Sequence, residues 1–186
     1  MNKKQIEKYT ETEIKIGKSK LDIFNKIVTT SDFNIHDVAS IIRKVPTLEK
    51  RKQYKSINSI LVALLVLTVL SRFISGFIEI SNGNNDVNVI VLFFPIVTIL
   101  LIYGVYKFKS NVHLVCGIFL IVGAIMSSIR LINSLDLITL SDITITIFGS
   151  VIAFYLNSKL VGDYELNKEL QKTNPNQREN IVTFTE

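Results

Sequence analysis

Arg72, Glu79, Arg130 and Asp142 stand inside or at the rim of long apolar stretches. An ionisable group is expensive there and needs a partner or a path to water. Such charges serve either as an ion-pair network that holds helices in register or as a contact site for an ion, anion or peptide. Glu79 follows Arg72 by seven positions, which puts both on one helix face. Arg72 lies 15 positions into its apolar stretch and Arg130 lies 17 positions beyond His113, so both reach the same depth. Asp142 opens a later stretch at that depth. The spacing predicts an intramembrane polar layer in which Arg72 and Arg130 meet Glu79 and Asp142. The structural role is the simpler one, and the groups lie near enough to the interface for the arginines to snorkel.

The other reactive residues form no catalytic pattern. Cys116 is the single cysteine, so it has no disulfide partner within the chain and reads as a small apolar packing residue. His36 and His113 are far apart and lack the spacing of a metal-ligand set. No glycine-rich phosphate loop or nucleophile elbow occurs. The expectation is a protein that is not an enzyme and takes no cofactor and no metal.

These charges are positioned by apolar segments. The chain of 186 residues is 48% hydrophobic and 20% charged, with a mean hydropathy of +0.36, above what a soluble domain of this size carries. Residues 57–80 run apolar for two thirds of their length after the basic run 49–55. At about 1.5 Å per residue, such a segment crosses a hydrocarbon core of roughly 30 Å. Comparable stretches occupy 87–106, 112–133 and 141–160. Pro95 should kink the second, with neighbouring helices or Thr98 compensating the freed carbonyl, and Tyr103 and Tyr106 fall at its interfacial end. The first stretch begins beyond position 50 and is too long for a signal-peptide core, so it is expected to be an uncleaved anchor.

Basic residues set the orientation. Arg43, Lys44, Lys50, Arg51, Lys52 and Lys55 precede the first stretch, against Glu49 alone. Lys107 and Lys109 lie between the second and third, and Lys159 ends the fourth. The two intervening links carry Asp86 and Asp136 and no base. All the base-rich flanks therefore fall on one side, which predicts four crossings with both termini in the cytoplasm, in an inner or plasma membrane. The net charge of +5 is explained by this flanking pattern, and no nucleic-acid partner is expected.

The fold class expected is thus an all-α integral membrane protein, a four-transmembrane-helix bundle. Three domains follow: a helical cytoplasmic segment (1–56), the bundle (57–160) and a short cytoplasmic tail (161–186). In the first segment, apolar residues at spacings of three and four predict amphipathic helices, broken at Gly17. A further helix over 35–44 is capped by Asn34 and ended by Pro46, and another starts near Thr47 and runs into the first crossing. The tail should begin as a helical extension bearing Tyr164, Leu166 and Leu170 and stop at 173–176. Residues 181–184 are β-prone and either pair with a strand or stay unstructured.

Small and polar residues align as inward stripes: Asn58, Thr68, Arg72, Gly76 and Glu79; Cys116, Gly123, Ser127 and Arg130; Asp142, Thr146, Gly149, Ala153 and Asn157. Gly76, Gly123, Ser127, Thr146, Gly149 and Ala153 are the expected helix-packing positions, letting backbones approach and hydroxyls bond across helices. The partners expected are membrane lipid and a protein, either another chain or further copies of this one. The functional expectation is protein–protein contact, as an accessory subunit, a membrane component of a defence system or a toxin-immunity protein. The alternative is an oligomeric ion channel or small transporter with Arg72 and Arg130 near its outer mouth.

Overall fold

The computed structural model describes residues 2–30, 33–81, 89–109, 111–133, 137–166 and 182–185. Local sequence sets the first elements. Helix α1 (Lys3–Lys15) opens on a reciprocal cap: Asn2 Oδ1 accepts from Gln5 N at 2.9 Å, and Gln5 Oε1 accepts from Asn2 N at 2.7 Å. It closes where Gly17 takes φ +93°, with Gly17 N donating to Ile14 O and Lys18 N to Glu13 O. The pair of positions that usually makes an apolar contact across this motif is here Glu13 and Lys18, whose side chains form an ion pair. Lys18 thereby holds the Glu13 carboxyl below the usual carboxylate range.

Helix α2 (Lys20–Thr30) starts behind Ser19, whose Oγ accepts from Asp22 N at 3.1 Å. Helix α3 (Ile35–Arg43) is capped by Asn34, which accepts from His36 N at 2.9 Å, and the chain leaves it before Pro46. Helix α4 (Leu48–Gln53) follows. The continuous helix expected from Thr47 into the apolar segment is interrupted by a turn at Tyr54.

Beyond residue 160 the structure departs from expectation. Residues 163–166 form strand β1 (Asp163–Leu166), not a helical extension, and pair antiparallel with β2 (Val182–Thr185). Asp163 stands opposite Thr185 and Leu166 opposite Val182. Tyr164 and Leu166 fit a strand face at a spacing of two as well as a helix face with Leu170, and tertiary pairing decides between them. Arg43 fixes the entry to β1. Its carbonyl accepts from Gly162 N at 3.2 Å, its guanidinium lies 3.5 Å from Asp163, and it covers the Tyr164 ring at 5.6 Å. The same carbonyl, at the negative end of α3, receives the ammonium of buried Lys20 at 3.3 Å. Leu170, the stop at 173–176 and the turn expected after Ser81 lie outside the described residues.

The chain divides into two compact units, Met1–Gln53 with Ser158–Glu186, and Tyr54–Asn157. The first has its own core of Ile6, Ile14, Phe24, Ile27, Val38, Ile42 and Val182. Phe184 reaches it edge-on to Phe24, with ring centroids 6.0 Å apart. A two-stranded ribbon alone is marginal in water, and a three-helix core of about fifty residues is thin, so each completes the other.

The second unit holds helices α5 (Lys55–Ser81), α6 (Val89–Tyr106), α7 (Val112–Asn133) and α8 (Leu137–Leu160), the last contributing its three final residues to the first unit. Helix α8 begins four residues before the expected 141. Three helices are long and apolar enough to cross a membrane, over Lys55–Phe77, Val112–Ile129 and Leu137–Leu160, with hydropathies of 2.3, 2.3 and 1.9. Only 28%, 39% and 28% of those windows are buried, so most of their apolar surface faces outward. Phe73, Phe77, Ile125, Phe148 and Val151 are all more than half exposed. Such faces suit a hydrocarbon solvent rather than water. Helix α6 is apolar throughout and contains Pro95. The Thr98 hydroxyl donates to the Phe94 carbonyl at 2.7 Å, so it does not serve the Val91 carbonyl that proline leaves without a donor.

Phe24 is fully buried and touches the last strand, so Phe24→Ala should cost the first unit about 3–5 kcal/mol. Amide hydrogen exchange across α1–α3 reads this as a common acceleration. Unchanged protection would contradict a core shared by the helices and β2.

Candidate functional site

Arg72 on α5, Ser127 on α7 and Asp142 on α8 converge in the second unit. Arg72 Nη2 lies 2.6 Å from Asp142 Oδ2 and donates to Ser127 Oγ at 2.7 Å. It also approaches the Gly123 carbonyl at 3.4 Å. The Ser127 hydroxyl in turn reaches Asp142 Oδ2 at 2.6 Å, with the Gly123 carbonyl at 3.0 Å as its second acceptor. Phe94 of α6 covers the guanidinium, its ring centroid 5.0 Å from Cζ, and stacks on Phe119 at 4.3 Å. All four helices therefore contribute to one charged layer.

The layer sits below the protein surface. The Arg72 side chain is 10% exposed and that of Asp142 6%. Two opposite charges at this separation neutralise each other, and the serine bridges them, which is how ionised groups persist without bulk water. Asp142 Oδ1 is buried with no hydrogen-bond partner among the described residues.

Of the four predicted charges, the structure brings Arg72 and Asp142 together. Glu79 lies on α5 and Arg130 on α7, and the side chains of both are outside the described residues. Among the packing positions, Gly123, Ser127, Thr146, Gly149 and Ala153 are buried, whereas Gly76 is half-buried. The glycines are notches for large neighbours. A Cβ on Gly149 would meet Leu120 Cδ1 at 2.9 Å, and one on Gly123 would meet the Phe94 ring at 3.1 Å. The hydroxyls behave differently from expectation. Thr68, Thr146 and Ser150 bond to carbonyls three or four residues back in their own helices, which satisfies the donor without a partner helix. Ser127 also joins α5 and α8.

A second polar layer was not foreseen as a unit. Asn58 of α5 donates from Nδ2 to the Val105 carbonyl of α6 at 3.0 Å, and its Oδ1 lies 2.8 Å from His113 Nε2 of α7. The amide oxygen only accepts, so Nε2 carries the hydrogen. Asn58 and His113 are 3% exposed. From Asn58 to Arg72 is 14 residues on α5, and from His113 to Ser127 is 14 residues on α7. At 1.5 Å per residue the layers stand about 21 Å apart, with both helices running the same way. Leu61, Leu65 and Thr68 face inward between them on α5, with Cys116, Leu120 and Ala124 on α7. The equal spacing was present in the sequence, but identifying the pair needs to know that α5 and α7 are in register.

Among the described residues, no three His, Cys, Asp or Glu side chains gather as a metal site. The arrangement clamps helices through a closed ion pair at one level and an amide–imidazole bond at the other. No protein family, curated protein or solved structure matches the chain.

Removing one partner of the ion pair leaves a buried bare charge. Arg72→Met or Asp142→Leu alone should each destabilise the second unit by about 3–5 kcal/mol. The double variant should recover a large part of that loss, as thermal unfolding in detergent micelles measures. Strict additivity of the two single effects would show that the side chains do not act on each other.

Proposed function

We propose that the chain is a four-crossing protein of the inner or plasma membrane, with both termini in the cytoplasm, that works by protein–protein contact. The observation that carries this reading is the composite first unit, built from Met1–Gln53 and Ser158–Glu186. A bilayer cannot run through a packed core, so both pieces belong on one side and the intervening chain crosses an even number of times. Three helices have the length and apolarity to cross. Helix α6, with 18 residues and no charge, is the fourth, spanning about 27 Å at 1.5 Å per residue. The basic flanks of the segments support the cytoplasmic side for the composite unit.

The contact role rests on the same unit together with the closed Arg72–Asp142 pair. Arg72 and Asp142 neutralise each other within the bundle, and the folded unit outside the membrane offers a surface to another protein. An accessory subunit, a membrane component of a defence system and an immunity protein against a membrane-active toxin all fit this plan.

A second reading, an oligomeric channel or small transporter, is favoured by one feature, the buried Asp142 Oδ1 with no partner among the described residues. Several copies would have to surround such a path. Liposomes containing the purified chain decide between the two. The contact reading predicts no ion flux and a stoichiometric protein retained through solubilisation. Flux that Arg72→Ala abolishes would replace it with the channel.

A further inference from the structure

The end of α6 and the turn behind it gather four polar groups on one exposed face. Tyr103 and Tyr106 are one helical turn apart and are 55% and 64% exposed. Lys107 Nζ lies 5.5 Å from the Tyr106 ring centroid, and Lys109 Nζ lies 5.0 Å from that of Tyr103. The backbone makes the second contact. Phe108 takes φ +51°, a left-handed conformation that costs a residue with a β-carbon, while Phe108 N donates to Val105 O and Lys109 N to Gly104 O. That closure turns Lys109 back along the helix it has just left. The two ammonium groups thus lie beside the two phenols instead of trailing away from the helix.

Local acid does not neutralise this charge. No Asp or Glu occurs between Asp86 and Asp136, and among the described residues neither lysine has a carboxylate within ion-pair distance. An ammonium resting on an aromatic face keeps its remaining N–H donors for another acceptor. The group required by two cations and two hydroxyl donors is a multivalent anion with several oxygens. The apolar face of α6 leading to the cluster, with Ile96, Ile99 and Leu100 more than half exposed, suits an acyl chain attached to such an anion.

We propose that Lys107, Lys109, Tyr103 and Tyr106 hold the phosphate of an anionic lipid headgroup. The site rests on the membrane reading given above, and it commits to a lipid rather than to free phosphate. The acyl chains lie along α6, the lysines supply the charge, and the tyrosine hydroxyls donate to the phosphate oxygens.

The purified full-length chain in detergent, exposed to equal amounts of phosphatidylglycerol and phosphatidylcholine and analysed by native mass spectrometry, tests this. Wild type should retain phosphatidylglycerol preferentially. Lys107→Gln/Lys109→Gln should lower that preference on the order of tenfold or more. Tyr103→Phe/Tyr106→Phe should lower it less, and Lys4→Gln/Lys8→Gln, on exposed positions of α1, should leave it intact. Equal retention in Lys107→Gln/Lys109→Gln overturns the site, as does displacement of the lipid by millimolar inorganic phosphate. A chain that stays in solution without detergent fails at an earlier step and overturns the membrane reading itself.

Discussion

The pairing of the last strand with the first strand after the apolar segments is the constraint on which the rest depends. β2 brings Val182 and Phe184 to a core otherwise made by helices of the first fifty residues. β1 is fastened to the same helices by the carbonyl and guanidinium of Arg43. Neither piece is large enough to hold its shape alone. Joined, they tie the two sides of a long apolar excursion to one folded body. The proposed topology rests on this packing as well as on hydropathy, because a core shared by both ends requires an even number of crossings between them.

Within that excursion, two polar layers join the helices, the kind of contact that sets register where the surroundings are hydrocarbon. Helices in hydrocarbon gain nothing by hiding leucine from leucine, so close packing and polar bonds set their register. Gly123 and Gly149 admit the Phe94 ring and the Leu120 side chain. Asn58 joins three helices at one level, and Arg72, Ser127 and Asp142 join three at the other. The stretch between the layers is held by Leu61, Leu65, Cys116 and Leu120, which have no orientation to enforce.

What could be read from the sequence follows the strength of each physical signal. The long helices were legible because twenty apolar residues in a row have few other fates. The importance of Arg72 and Asp142 was legible because charge in such a setting must be answered. That Arg72 and Asp142 share one layer followed from their common depth, whereas Ser127 as the bridge between them depends on helix rotation rather than on sequence spacing. The Asn58–His113 bond was hidden for the same reason, although its equal spacing to the charged layer is plain once the helices are known to run in parallel. The strand at Asp163–Leu166 was missed because its partner begins sixteen residues after Leu166, at Val182, beyond the reach of local pattern. Tyr164 and Leu166 carry a periodicity that serves either element. Thr98 shows a smaller version of the problem: a hydroxyl near a proline has a nearer carbonyl to satisfy.

The central claim is that both ends of the chain belong to one body on the cytoplasmic face. Small epitope tags at each terminus, probed in intact cells and again after permeabilisation, test it most directly. The account predicts that neither tag is reached until the membrane is opened and that both are reached afterwards. A tag at either end detected on intact cells would contradict it: one tag alone would be incompatible with a core shared by both ends, and both together would place that core on the outer face.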